Sequence, residues 1–239
     1  MPPKDSASVS SVEQNAQPFL HTTPPEALGN SVTKTIHVGS KTFQIDYPGN
    51  ADQLLDHPST HAAFQADEYM PYWAELWPSA QMLAEVVLQQ RWPKNTTALE
   101  IGCGVGLPGI AALSLGMHVI FSDYDATAVD FAARNARANG FTDFETLPLD
   151  WRHPPKMQVP LILAADVIYE ERNIAPLVNF IRAVLTPNGL CLLSDPDRST
   201  KGGFGYALKQ AKLNVTRQQM TAVGTYDRTV SGTVYHISL

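Results

Sequence analysis

The stretch Ala98-Leu99-Glu100-Ile101-Gly102-Cys103-Gly104-Val105-Gly106-Leu107-Pro108-Gly109 decides the fold of this chain. A short apolar run carries one acid, Glu100. Glycines follow at alternate positions, Gly102, Gly104 and Gly106, and Pro108 opens a helical segment. A strand that turns into a helix through glycines brings bare backbone N–H groups and a helix N-terminus close to a ligand. In an open α/β sheet this geometry holds a nucleotide-like cofactor at the carboxyl end of the first parallel strand.

Working outward, strand-like and helix-like segments alternate from Thr96 onward. Strands are predicted at Ala98–Ile101, Val119–Ser122, Phe144–Leu147, Leu161–Ala165, Leu190–Ser194, Leu213–Gln218 and Thr233–Ser238. Helices are predicted at Pro108–Leu115, Ala126–Ala138, Ile174–Leu185 and Phe204–Gln210. Such alternation implies a parallel sheet with helices on both faces. The last two strands lack a crossover helix, so they are expected to form an antiparallel hairpin at the sheet edge. Upstream, Thr33 to Tyr47 alternates apolar and polar residues around Gly39-Ser40, a hairpin signal. Asp52 to Glu68 reads as helical or irregular. Met1 to Asn30 is rich in Ser, Pro, Gln and Ala, which offers too little apolar surface to offset ordering entropy. The expected fold is therefore α/β: a Rossmann-like, seven-stranded, mostly parallel sheet with a C-terminal antiparallel hairpin and an N-terminal β-hairpin extension. Its expected divisions are a disordered tail (1–30), an extension of hairpin and helices (31–95) and the main domain (96–239).

Composition narrows the class. At 239 residues the chain suits one α/β domain with an extension. A net charge of −6 provides no basic stripe for nucleic-acid backbone. The two cysteines, one in the glycine turn and one in an apolar run, read as buried thiols of a reducing compartment. No apolar run reaches the ~18 residues of a membrane span, and no signal peptide core is evident. The expectation is a cytoplasmic monomer with no membrane or nucleic-acid partner. His57 and His61 are four apart, but Pro58 and the missing third ligand argue against a metal site.

Gly104, Gly106 and Gly109 also satisfy G-x-G-x-x-G, so a nicotinamide dinucleotide is one alternative. Glu100 speaks against it, because a carboxylate there would repel a pyrophosphate. It would instead suit a cofactor with a cationic amino-acid end, such as S-adenosylmethionine. The acid-x-Gly-x-Gly-x-Gly arrangement resembles motif I of the class I S-adenosylmethionine-dependent methyltransferases. Asp123, about 20 residues past the glycines at the end of the second strand, is placed to accept both ribose hydroxyls. Either Asp123 or Asp125 could instead cap the helix beginning near Ala126; capping suits Asp125 and ribose binding suits Asp123. After the third strand, Asp150 and Trp151 could accept from an adenine amino group and pack on its ring, or be a turn acid beside a half-buried indole.

The segment Ala164-Ala165-Asp166-Val167-Ile168-Tyr169 follows the fourth strand, beside the switch point where ligands of such sheets bind. Ala165 is expected against the cofactor, with Asp166 and Tyr169 projecting toward the methyl donor. This Asp-x-x-Tyr resembles the seven-strand protein methyltransferases, chiefly lysine-directed, of methyltransferase family 16. A Leu76-Trp77-Pro78 ahead of motif I is similar to that family too, whose Trp lies against the cofactor; an ordinary packing aromatic is the alternative for Trp77. Asp195-Pro196-Asp197-Arg198 and the run Thr233-Val234-Tyr235-His236-Ile237 resemble the electron-transfer-flavoprotein β-subunit lysine methyltransferase branch. The resemblance implies N-methylation of a protein lysine, with Asp166 orienting the amine and Tyr169 walling the cleft. A small-molecule N- or O-methyltransferase shares every cofactor feature and stays open, as does the nicotinamide-dependent oxidoreductase.

Overall fold

The computed structural model describes residues 20–197, 201–223 and 228–239. The chain enters through a short helix α1 (Pro25–Leu28) and a two-stranded hairpin, β1 (Ser31–Val38) and β2 (Lys41–Pro48). Helices α2 (Ala51–Leu55) and α3 (Pro58–Asp67) follow, then a 3-10 turn at Tyr72–Ala74 and α4 (Pro78–Gln89). The alternating part comprises β3 (Thr97–Ile101), α5 (Leu107–Leu113), β4 (His118–Ser122), α6 (Ala126–Ala138), β5 (Phe144–Thr146) and β6 (Val159–Ala165). It closes with α7 (Ile174–Val184), β7 (Leu185–Asp195), α8 (Lys201–Gln210), β8 (Asn214–Val223) and β9 (Thr229–Ser238).

The large sheet has seven strands in the order β5-β4-β3-β6-β7-β9-β8. β3 pairs in parallel with both β4 and β6, so the winding direction reverses there. The last two strands are the antiparallel hairpin expected, with β9 inserted between β7 and β8. Period-2 alternation divides the core between the two faces. Ala98, Leu161 and Leu163 point to α4, α5, α6 and the hairpin. Leu99, Ile162 and Ala164 point to α7 and α8.

Residues 31–95 share this core instead of forming a unit apart: Val38, Phe43 and Ile45 of the hairpin are buried in the same cluster as Leu107 and Phe121. The hairpin is fastened by amides. Asn135 on α6 and Asn139 at its C-cap each exchange hydrogen bonds with the β2 backbone, at Asp46 and Gln44 respectively. Asn135 Nδ2 also donates to the Val105 carbonyl in the glycine loop at 2.9 Å.

The expected tail needs correction. Its part up to residue 19 lies outside the described residues, as does Arg198 of the Asp-Pro-x-Arg run. Residues 20–30, however, are docked. His21 forms a parallel bridge with Asp125 beyond the end of β4, Thr23 is buried and hydrogen-bonded, and Ala27 packs with Leu54, Trp73 and Phe131. Composition misleads here because the segment is held by hydrogen bonds to a buried acid as well as by the packing of Ala27 and Leu28.

Candidate cofactor and acceptor site

A cleft of about 280 Å³ opens at the carboxyl ends of β3, β4 and β6, and the segment from Asp67 to Trp77 crosses it. That size sits at the lower end of the ~300–1,000 Å³ usual for small-molecule sites. Its walls bring together Trp77, Glu100, Gly102, Gly104, Asp123, Asp150, Trp151, Ala165, Asp166 and Tyr169. Gly106 is the one predicted site residue absent from those walls. It caps α5 at φ +85°, and a Cβ there would meet Ala132 on α6 at 2.8 Å. Its missing side chain lets the loop pack closely on α6.

The glycine loop is shaped by what covers it. Gly104 has φ +50°, and a Cβ there would come within 3.3 Å of the Trp73 carbonyl oxygen. Its N–H donates to Asp123 Oδ2 at 2.9 Å, while the Asp125 N–H donates to Asp123 Oδ1 at 3.1 Å. Burial is the largest influence on Asp123 and pushes its carboxyl up to about 6, against the opposing pull of those N–H groups. Both oxygens retain lone pairs for a ribose.

Glu100 is fully buried and accepts from the Gly109 N–H at 3.0 Å. Gly109 must lack a side chain, because a Cβ would lie 2.4 Å from both Glu100 Oε2 and Phe121. Loss of solvent holds the Glu100 carboxyl well above the ordinary carboxylate range, and the Asp123 charge adds to this. A cationic group in the cleft would relieve that cost. The donor set therefore fits S-adenosylmethionine: a buried acid for its positive end, a second acid for its ribose, and bare backbone between.

Asp150 has a partner that sequence did not foresee. Arg152 Nε lies 2.9 Å from both of its oxygens, and the Arg152 terminal nitrogens form a two-pronged pair with Asp67. Trp151 lies within 3.5 Å of where a Gly102 Cβ would stand, at the cleft wall. Asp125 caps α6 through Thr127 N, as its position suggested. Asp166 occupies left-handed backbone space (φ +58°), with its N–H donating to the Ser194 carbonyl at 2.9 Å. Non-glycine residues adopt this conformation uncommonly, Asp and Asn more often than most. Tyr169 stands edge-on to Tyr72 at 5.5 Å, and Tyr72 edge-on to Trp77 at 6.3 Å, so three rings line one side of the cleft. Burial also raises the Tyr169 hydroxyl pKa, which keeps it protonated. Trp77 heads α4 and donates Nε1–H to the Tyr72 carbonyl.

Sequence reasoning missed Tyr69, Arg152 and Arg172 as wall residues. The available signal was aromatic density, since Tyr69, Tyr72, Trp73 and Trp77 fall within one short run. Among the described residues no cluster of His, Cys, Asp or Glu could hold a metal, and no helix is long and apolar enough to cross a membrane.

The family described as lysine methyltransferase matches residues 63–203, which include every cleft residue named above. Histone-arginine methyltransferase METTL23 of Mus musculus is 28% identical over 128 residues, 50% of this chain and 51% of that protein. The electron transfer flavoprotein beta subunit lysine methyltransferase of Mus musculus is 27% identical over 136 residues, 56% of this chain and 53% of that protein. The chain thus spans about half the length of these curated relatives. The crystal structure of ribosomal protein L11 methylase from Lactobacillus delbrueckii subsp. bulgaricus superposes with a TM-score of 0.54 at 21% identity, over 67% of this chain and 77% of that one. At that identity the likeness concerns the fold.

Proposed function

The chain belongs to the lysine methyltransferase family, and from that premise we propose that it transfers a methyl group from S-adenosylmethionine to a lysine side chain of a protein. The observation that carries this reading is the placement of Asp166 and Tyr169, from the end of β6, in the same cleft as Glu100, Gly104 and Asp123. When bound, the sulfonium supplies the methyl group. Glu100 and Asp123 hold the two ends of the donor, and Trp151 flanks the base.

A lysine ammonium has no lone pair, and its ordinary pKa is about 10.4, so the acceptor must lose a proton before it can attack. Enclosure away from water disfavours the cation, and the proton leaves to solvent before the neutral amine settles against Asp166. Asp166 accepts from the amine N–H and aims the nitrogen, a contribution of positioning. The strained backbone at Asp166 suits a side chain that must be held in one direction. Protein targets are favoured because the curated relatives are named for histone arginine and an electron transfer flavoprotein subunit. The family match sets the nicotinamide alternative aside.

Asp166→Asn keeps shape and removes charge, so turnover should fall by far more than cofactor affinity. Calorimetry with S-adenosylhomocysteine, beside transfer of labelled methyl to lysate proteins, measures the two quantities. Equal losses would make Asp166 a cofactor-binding or structural residue. Label entering only small metabolites would overturn the protein substrate.

A further inference from the structure

We infer that Thr23 and Asp125 are positioning residues for the cofactor site, through which the N-terminal segment Leu20–Leu28 holds the cleft's cover in place. The inference rests on the cofactor reading above.

A helix cap needs one carboxylate oxygen. Asp125 Oδ1 performs that role, accepting from Thr127 N at 2.8 Å. Oδ2 is turned the other way and receives three donors: Thr23 Oγ1 at 2.5 Å, Tyr69 OH at 2.5 Å and Trp73 Nε1 at 3.0 Å. Asp125 itself is fully buried and is no part of the cleft wall, whereas Tyr69 and Trp73 are. The carboxylate therefore reaches the cofactor site through these two rings.

The N-terminal segment completes the assembly. Thr23 N–H donates to Thr127 Oγ1 at 2.9 Å, and Thr127 Oγ1 donates to the Thr23 carbonyl at 3.1 Å, a reciprocal pair. His21 N–H donates to the Tyr124 carbonyl and its own carbonyl accepts from Ala126 N–H, so the segment grips the backbone on either side of Asp125. The His21 ring lies on Tyr69 at 4.1 Å between centroids. Tyr69 is thus held at its hydroxyl by Asp125 and on its ring by His21. Trp73 is held at its indole nitrogen while its backbone covers Gly104. From Thr23 to the glycine loop the path is continuous: Thr23, Asp125, Trp73, Gly104. The Asp125 N–H also fixes Asp123, the ribose acid, so the same residue braces both sides of the loop.

The test uses the full chain with Thr23→Val, which removes one donor and preserves volume. The dissociation constant of S-adenosylhomocysteine should rise about three- to tenfold, the effect of one net hydrogen bond. KM for S-adenosylmethionine should rise with it while kcat holds, and Thr23→Ser should restore both. Thr96→Val is the control: it removes a buried hydroxyl bond to the Pro93 carbonyl, next to the opposite end of β3. It should lower the melting temperature without altering ligand affinity. Unchanged affinity in Thr23→Val, failure of Thr23→Ser to rescue, or an equal loss in Thr96→Val would overturn the positioning role. A wild-type protein that does not bind S-adenosylhomocysteine would instead overturn the cofactor reading beneath it.

Discussion

The segment crossing the cleft is fastened by opposite chemistry at its two halves. Tyr69 and Trp73 hang on a buried carboxylate, that of Asp125, whose donors are neutral hydroxyl, indole and amide groups. Asp67 and Glu68 are held instead by arginines: Arg152 on Asp67 at 2.7 Å, and Arg172 on Glu68 at 2.6 Å. Those side chains keep 28–64% of their exposure, so water and salt compete for every contact. A buried acid surrounded by donors admits one arrangement, because any rotation leaves polar groups unpaired away from water. Exposed ion pairs exchange partners at little cost. The segment therefore has a fixed root above the glycine loop and an adaptable rim, with Glu68 in left-handed backbone (φ +51°) between them.

The contrast is broken most severely by Asp125→Ala. It removes the α6 cap and leaves several buried donors without an acceptor, and a stability loss of about 3–5 kcal/mol is expected from such a combination. Denaturant unfolding measures it, and a loss under 1 kcal/mol would erase the distinction between root and rim.

Next in size is Asp123→Ala, which should weaken S-adenosylmethionine binding roughly ten- to a hundredfold with the fold intact, as one charge-assisted hydrogen bond is worth about 1.5–3 kcal/mol. The pH dependence sharpens this. With its folded pKa raised from 3.8 to about 6, Asp123 takes up a proton in the folded chain before the unfolded chain does. Its contribution to stability is complete below the ordinary value and is lost as pH rises through about 6. Ribose binding needs the carboxylate, so affinity should fall as pH drops below about 6 while the ligand-free protein gains stability from this group. Calorimetric titration between pH 5 and 8 tests both signs, and a flat profile in wild type would remove Asp123 from the site.

The smallest effect belongs to the rim. Arg152→Ala should cost about 0.2–1 kcal/mol, the range for exposed pairs, with the difference shrinking in high salt. Thermal melts at two ionic strengths give the comparison. A larger, salt-insensitive loss would mean that the link from Asp67 through Arg152 to Asp150 acts as a buried unit.

The sheet and the glycine loop were legible because their signals are local. Apolar runs ending at Gly102, Asp123 and Asp166 mark strand ends, and a parallel sheet delivers strand ends to one edge. For Gly106, spacing alone does not reveal that the missing Cβ makes room for Ala132. Residues 20–30 were misjudged because composition counts apolar surface, while Thr23 docks by hydrogen bonds to an acid 102 positions away.

By itself, then, the chain's order of residues determined the alternating elements, the strand ends and the identity of the acids there, since periodicity and glycine placement act over a few residues. Tertiary structure alone decided what those acids touch. Three donors converge on Asp125 Oδ2, and the aromatic run Tyr69 to Trp77 folds back over β3 and β4. These pairings join residues far apart in sequence, and burial gives them their strength by excluding the water that would otherwise satisfy each group separately.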